Sequence, residues 1–356
     1  MPASKKSWAS ASDRVWATIL AGGVGSRFWP VSTADRPKQL LPLASDQPLI
    51  VDAVDRARAL VPEERIRILA GEHLLSPFRS ALEGLPESSY WVEPRARGTA
   101  PVLAWAAWRL ARLDPDAVMI SLHADHLIRP LQEFRDTVAT AVELARRDGL
   151  LVTIGVTPDR IETGYGHLEP GNPLPDAGPG SAFRVRAFHE KPNAETAKRY
   201  IDEGYLWNTG IFVWKAATLL EEIERHAPEI SEYLPLLERS AVDFFAAVPI
   251  SVIDRVVMER SDRVAVVAAT FEWDDVGSWE ALSRTRECDS AGNVILGPGR
   301  AVESERNIIF AEGGDVVLFG THDLVVIRTK DTTVVLPRSR AADLKTLLAA
   351  LEGMGQ

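Results

Sequence analysis

The stretch LAGGVGSRFWPVSTADRPKQLLPL, Leu20–Leu43, begins where a short apolar run, Val15–Leu20, ends. The run reads as a buried strand, and the stretch reads as a phosphate grip at its carboxyl end. Gly22, Gly23 and Gly25 let the backbone turn tightly, so that several N–H groups point at one anion. Arg27 adds a planar fork of donors and Lys38 a point charge. No Gly-Lys-Ser/Thr follows, so this is not a Walker A loop. Nor is it the dinucleotide fingerprint, because Gly23-x-Gly25 leads to Phe28 rather than to a third glycine. Glycines alone would suit a plain turn. Arg27, Pro30, Pro37, Lys38 and Gln39 at these spacings favour the anion.

Outward from the loop, short apolar runs alternate with helical patterns. Helices are expected over Leu49–Leu60, Ala100–Leu113 and Phe134–Arg147, and strands over Ile66–Ala70, Ala117–Leu122 and Leu151–Val156. That alternation predicts an α/β fold of Rossmann-like type, a mostly parallel mixed sheet covered on both faces. Ligands bind such sheets beyond the carboxyl ends of the strands, where this loop begins. The pattern changes near Cys288. Asp315, Asp323 and Asp331 each open a short β-rich segment, which suggests a small β-stack or partial β-helix, though a plain meander fits too. A last helix is expected over Arg340–Leu351. The expected division is a tail over 1–13, a catalytic domain over 14–287 and a β-rich domain over 288–356.

A formal net charge of -10 argues against a duplex-DNA or RNA binder, which needs a basic footprint. One triphosphate needs only a few placed cations. Cys288 is the single cysteine, so no intrachain disulfide forms, and a reducing compartment is expected. Met1–Asp13 lacks the apolar core of a signal peptide. Ala100–Leu113 is broken by Arg109 and Arg112 and is too short to span a bilayer, which takes about 20 residues. A cytoplasmic location is expected.

Two acidic sites accompany the loop. The strand over Ala117–Leu122 leads into HADH, which carries Asp125, and WDDVGSW carries Asp274 and Asp275. A triphosphate enzyme usually needs Mg²⁺, which takes one or two carboxylates with phosphate oxygens and water. Asp125 and Asp275 form the candidate pair. Singly, each reads better as a cap or a turn. A zinc site from His123, Asp125 and His126 is an alternative, with structural hydrogen bonds the plainer reading for His126. FHEKPN places Glu190 and Lys191 after a β-like run, with Lys191 a candidate for a second phosphate and a solvated ion pair the bland reading. ETGYGHLEP and YLWNTGIF mix glycine, an aromatic and polar groups, which suits a sugar or a turn equally.

Together these segments resemble the mannose-1-phosphate guanylyltransferases, within the wider sugar-1-phosphate nucleotidylyltransferases. AGGVGSRFWPVS, RPKQLLPL, EPRARGTAP, ADH, ETGYGHLEPG, EKPN, LWNTGIF, SVIDRVVME and WDDVGSW carry the likeness, from Leu20 to Trp279. The resemblance implies GTP and mannose 1-phosphate as substrates and Mg²⁺ on Asp125 and Asp275. It implies Arg27 and Lys38 on the departing pyrophosphate and Lys191 on the sugar phosphate. Leu20, Ala21, Gly22, Gly23, Gly25, Ser26 and Arg97 would bind the nucleotide, and Gly164, Tyr165, Glu190 and Asn208 the sugar. Four positions depart from the family pattern: Gly98 for Asn, His123 for Pro, His167 for Tyr and Thr209 for Ser. Gly98 bears on base selectivity. No cupin-like isomerase domain is expected within this length. The β-rich part is open to packing on the core, to mediating a homodimer, or to both.

Overall fold

Val15–Leu20 forms β1 at the centre of a parallel set with β2 (Ile66–Gly71), β3 (Tyr90–Glu93) and β4 (Val118–His123), in the order β3-β2-β1-β4. The computed structural model describes residues 14–354 apart from 24, 34, 176 and 178–180; the expected tail over 1–13 lies outside it. Strand residues alternate between two cores. Ala17, Ile19, Ile66, Ile68, Val118 and Ile120 face one, with the helices Leu49–Arg58 and Leu131–Asp148. Leu69, Trp91 and Met119 face the other, with the helix Thr99–Leu113. Ala100, Leu103, Ala104, Ala107 and Leu110 recur at helical spacing along that helix and are buried. A sheet covered on both faces must draw apolar residues from both sides of each strand, which is why these strands read as continuous apolar runs.

The sheet is mixed. β4 is followed by the short strand β5 (Leu127–Arg129), then by β6 (Leu151–Val156), β7 (Gly166–Pro173), β8 (Ala182–Glu190), β9 (Leu206–Lys215) and β10 (Val264–Ala268). β9 inserts between β4 and β6, antiparallel to both. β10 runs parallel to β6 and antiparallel to β8, which pairs with β7. The parallel share is thus smaller than strand–helix alternation suggests, because β9 returns through the middle of the sheet.

A separate two-stranded ribbon sets the site. β11 (Glu272–Asp274) pairs antiparallel with β5, placing Trp273 opposite Ile128 and Asp274 opposite Leu127. β5 begins just after Asp125 and β11 ends just before Asp275, so the ribbon draws distant acidic segments together.

The C-terminal part is a short parallel solenoid. β12 (Val294–Leu296), β14 (Ile308–Ala311) and β16 (Leu324–Arg328) stack in parallel, β13 (Gly299–Val302) stacks on β15 (Val316–Phe319), and β17 (Thr333–Pro337) closes the stack antiparallel. The expected partial β-helix is present, but its repeat is not the aspartate spacing. Asn293 bonds Asn307 at a separation of 14 residues, and Asn307 bonds Leu324 at 17. The last helix spans Leu344–Met354. Among the described residues no helix is long and apolar enough to cross a membrane.

Candidate active site

The loop after β1 folds back on itself. Gly25 has φ 71°, and a Cβ there would lie 2.3 Å from Lys38 Cβ. Only glycine lets the lysine stem pass so closely with that backbone. Gln39 donates to the Gly23 carbonyl at 2.7 Å and locks the turn. Gly22 and Gly23 stay exposed at the strand end. Arg27 donates to the Gly277 carbonyl at 3.1 Å, which ties the loop to the WDDVGSW segment.

Lys38 is buried, and its ammonium donates to Asp125 Oδ2 at 2.8 Å and to the Asp275 carbonyl at 3.0 Å. Burial opposes the Asp125 charge. The Lys38 ammonium, with His126 and His123, nevertheless holds its carboxyl well below the usual carboxylate range. Burial pushes the Asp275 carboxyl up. Asp275 Oδ1 accepts from Tyr165 Oη at 2.6 Å and from the Gly277 N–H at 3.1 Å. Gly25, Ser26, Arg27, Phe28, Lys38, Asp125 and Gly277 line a cleft of about 210 Å³. Two larger hollows lie elsewhere, beside Cys288 and beside the last helix, and neither holds this set of charges.

A divalent oxygen-loving cation fits this donor set. Asp125 is ionised. Asp275 Oδ2 lies over Gly277, where a Cβ would come within 2.7 Å of it, so glycine keeps that oxygen's surroundings open. The rival set, His123, Asp125 and His126, has ligand atoms within 4.8 Å of one another. There His126 Nδ1 already accepts from Trp273 Nε1 at 3.1 Å, the structural bond expected of it.

On the far side, Lys191 pairs with Glu190 at 2.9 Å and has φ 52°, an uncommon value for a lysine. Asn208 is buried. Its oxygen accepts from Thr153 Oγ1 at 2.7 Å and from the Gly210 N–H at 3.2 Å, and its Nδ2 donates to Asp254 Oδ1 at 2.9 Å. It braces Asp254 more than it offers itself to a ligand. Tyr165 is likewise committed, with its ring buried and its hydroxyl on Asp275. Gly164 donates its N–H to Glu162 at 2.9 Å. Arg97 gives its guanidinium to the carbonyls of Phe245 and Ala246 at 2.8 and 2.9 Å, where it caps the helix Ala241–Ala247.

Residues 16–290 match the family model described as Nucleotidyl transferase, and residues 299–351 match the MannoseP isomerase/GMP-like beta-helix domain. The mannose-1-phosphate guanylyltransferase ManC of Salmonella typhimurium is 35% identical over 96% of this chain and 74% of its own length. The alginate biosynthesis protein AlgA of Pseudomonas aeruginosa is 33% identical over 95% of this chain and 72% of its own. This chain belongs to the mannose-1-phosphate guanylyltransferase family. A crystal structure from Thermus thermophilus, described as a mannose-1-phosphate geranyltransferase, superposes with a TM-score of 0.87 at 34% identity, covering 95% of this chain and 99% of that one.

Local packing accounts for three of the departures noted in the sequence, at Gly98, Thr209 and His167. Gly98 has φ 87°, and a Cβ would sit 2.3 Å from the Ser251 carbonyl oxygen. Its glycine answers to backbone packing. Thr209 donates to the Ile154 carbonyl at 2.7 Å, and His167 is fully buried with Nδ1 3.2 Å from the Tyr165 carbonyl. Three charged residues escape a sequence reading. Asp254 lies in an apolar run, SVIDRVVM, where a lone carboxylate is itself a signal. Arg160 hides among neighbouring charges. Glu93 ends β3, and its Oε2 would be 3.6 Å from a Cβ on Gly22, so it faces the loop.

Proposed function

We propose that this chain transfers GMP from GTP to mannose 1-phosphate, giving GDP-mannose and pyrophosphate. The observation that carries the reading is the junction of Arg27, Lys38 and Asp125 in one cleft at the end of β1 and β4, with the Asp275 backbone tied to Lys38 beside it. A phosphate oxygen of the sugar attacks the α-phosphorus in line. The new P–O bond forms as the bond to the β-phosphate breaks, and pyrophosphate leaves with the electron pair. The nucleophile is already anionic near neutral pH, since a phosphate monoester has a second pKa of about 6. No general base is needed, and the work reduces to positioning anions and offsetting their repulsion.

Arg27 and Lys38 hold the β- and γ-phosphates, and Gly22, Gly23, Gly25 and Ser26 offer backbone N–H groups. Lys191 clamps the sugar phosphate. Glu190, Asp254 and Gly164 bound the hexose, with Asn208 acting through Asp254. Asp125 and Asp275 would hold Mg²⁺, which when bound supplies positive charge against the α-phosphate and the sugar phosphate. Glu93, whose Oε2 faces Gly22, would accept from the N–H donors of the guanine edge when its carboxyl is ionised. Arg97 acts as a brace for the segment that carries Gly98.

The test is a product panel. GTP, ATP, UTP and CTP are each offered with mannose, glucose and fructose 1-phosphates, and pyrophosphate and nucleotide sugar are both measured. GTP with mannose 1-phosphate is expected to give the highest kcat/KM. A higher value for another base or hexose would reassign the substrate, and no pyrophosphate from any pair would reject the transfer.

A further inference from the structure

Tyr165 precedes β7, and its ring packs edge-on against Trp207 at 5.1 Å and Trp273 at 5.0 Å between centroids. Its hydroxyl donates to Asp275 Oδ1 at 2.6 Å. Arg160 Nη2 donates to that same hydroxyl at 3.1 Å. The Arg160 guanidinium is itself fixed. It lies 4.8 Å over the Trp207 ring, pairs with Asp159 at 2.8 Å, and stands 3.6 Å from Asp274 Oδ2. Asp274 is held independently by Arg284 at 2.8 Å.

The polarity of this chain follows from donor counting. A guanidinium can only donate, and a phenol has one proton. Arg160 therefore fills an acceptor position of Tyr165, and the single tyrosine proton goes to Asp275. With the Gly277 N–H on the same oxygen, two donors fix Oδ1. That matters because rotation about the last torsion of an aspartate is soft and nearly two-fold. Without both donors, Asp275 could present either oxygen at many angles.

We propose that Arg160 and Tyr165 are positioning residues of the transfer centre: a donor chain that fixes the rotation of the Asp275 carboxylate and so selects the oxygen offered to a divalent cation. The assignment rests on reading Asp275 as a metal ligand, and the experiment separates the two claims.

Mn²⁺ is the probe, with free ion measured by electron paramagnetic resonance on the full-length protein, alongside kcat and KM for each substrate. Tyr165→Phe keeps the packed ring and removes only the hydroxyl. It is expected to weaken Mn²⁺ binding and lower kcat by about 10- to 100-fold, with the KM for GTP held within about twofold. Arg160→Met is expected to follow it, and Arg160→Lys to recover part of the loss. Melting curves on each variant confirm that the bound fraction refers to folded protein. Wild-type Mn²⁺ affinity in Tyr165→Phe, with binding lost in Asp275→Asn, would overturn the donor chain alone. Wild-type affinity in Asp275→Asn would overturn the ligand reading and the donor chain with it.

Discussion

Asp254 shows how one buried group sets a condition for the whole protein. Burial first, then the neighbouring Glu190 charge, push its carboxyl up to about 7. In the unfolded chain the same group ionises near about 3.9. Between those values the folded protein binds a proton that the unfolded chain has lost, so stability falls as pH rises through the window. Above it the loss is complete. Asp254→Asn keeps an acceptor for Asn208 Nδ2 and has no charge to bury. The variant is therefore expected to melt progressively higher, relative to wild type, from about pH 5 to about pH 8. A difference in melting temperature that ignores pH would refute this. At this scale the sequence is a partial guide. Lys38, Asp125 and Asp275 stand out because glycine, proline and charge surround them in unusual mixtures. Arg160 and Glu93 do not, because each looks like an ordinary surface charge until the fold places it.

Elements divide in the same way, by how local their cause is. β1, β2, β4 and β6 are legible because strands buried on both faces are mostly apolar on both sides, with single buried polar residues at Thr18, Arg67, Ser121 and Thr153. The place of β9 is not legible, because its partners lie far off in sequence and nothing within Leu206–Lys215 names them. β5 and β11 have three residues each, too few for a periodicity, yet they join the two acidic segments. In the solenoid the aspartate spacing follows successive strands along the chain, whereas the coil is set by stacked asparagines. Asn307 Oδ1 accepts from the Leu324 N–H at 3.1 Å, and its Nδ2 donates to Asn293 Oδ1 at 3.0 Å and to the Thr321 carbonyl at 3.2 Å. Asn307 is fully buried. Asn307→Ala removes all three bonds. Asn293 Oδ1 keeps the Asn307 N–H and the Thr321 carbonyl keeps the Glu305 N–H, while the Leu324 N–H loses its partner. The variant is therefore expected to cost about 1–3 kcal/mol, read from urea unfolding of the full chain. A loss under about 1 kcal/mol would mean that the coil does not depend on this ladder.

The first family model ends at residue 290 and the second begins at 299, but the core does not divide there. Phe28, Val31, Leu41 and Leu43 of the phosphate loop share one apolar cluster with Val276 and Trp279, and with Ile308, Phe310, Val325 and Ile327 of the solenoid. Phe28 meets Trp279 at 5.1 Å, and Trp279 meets Phe310 at 5.1 Å. Arg36 in the loop also forks onto Glu312 beyond β14, at 2.6 and 2.7 Å. The solenoid thus backs the loop that carries Arg27 and Lys38, and the segment that carries Asp275. Contacts shared this closely couple the two parts, so unfolding of the intact chain is expected in one cooperative transition. Phe310→Ala removes the last ring of the stack and leaves a cavity, which typically costs about 3–5 kcal/mol for a buried phenylalanine. The transition should move as a whole, and the KM for GTP should rise more than that for mannose 1-phosphate, because the ring supports the phosphate loop and not the Glu190–Lys191 side. Two separate transitions, with the loop's kinetics unchanged in Phe310→Ala, would show that the solenoid is a passenger.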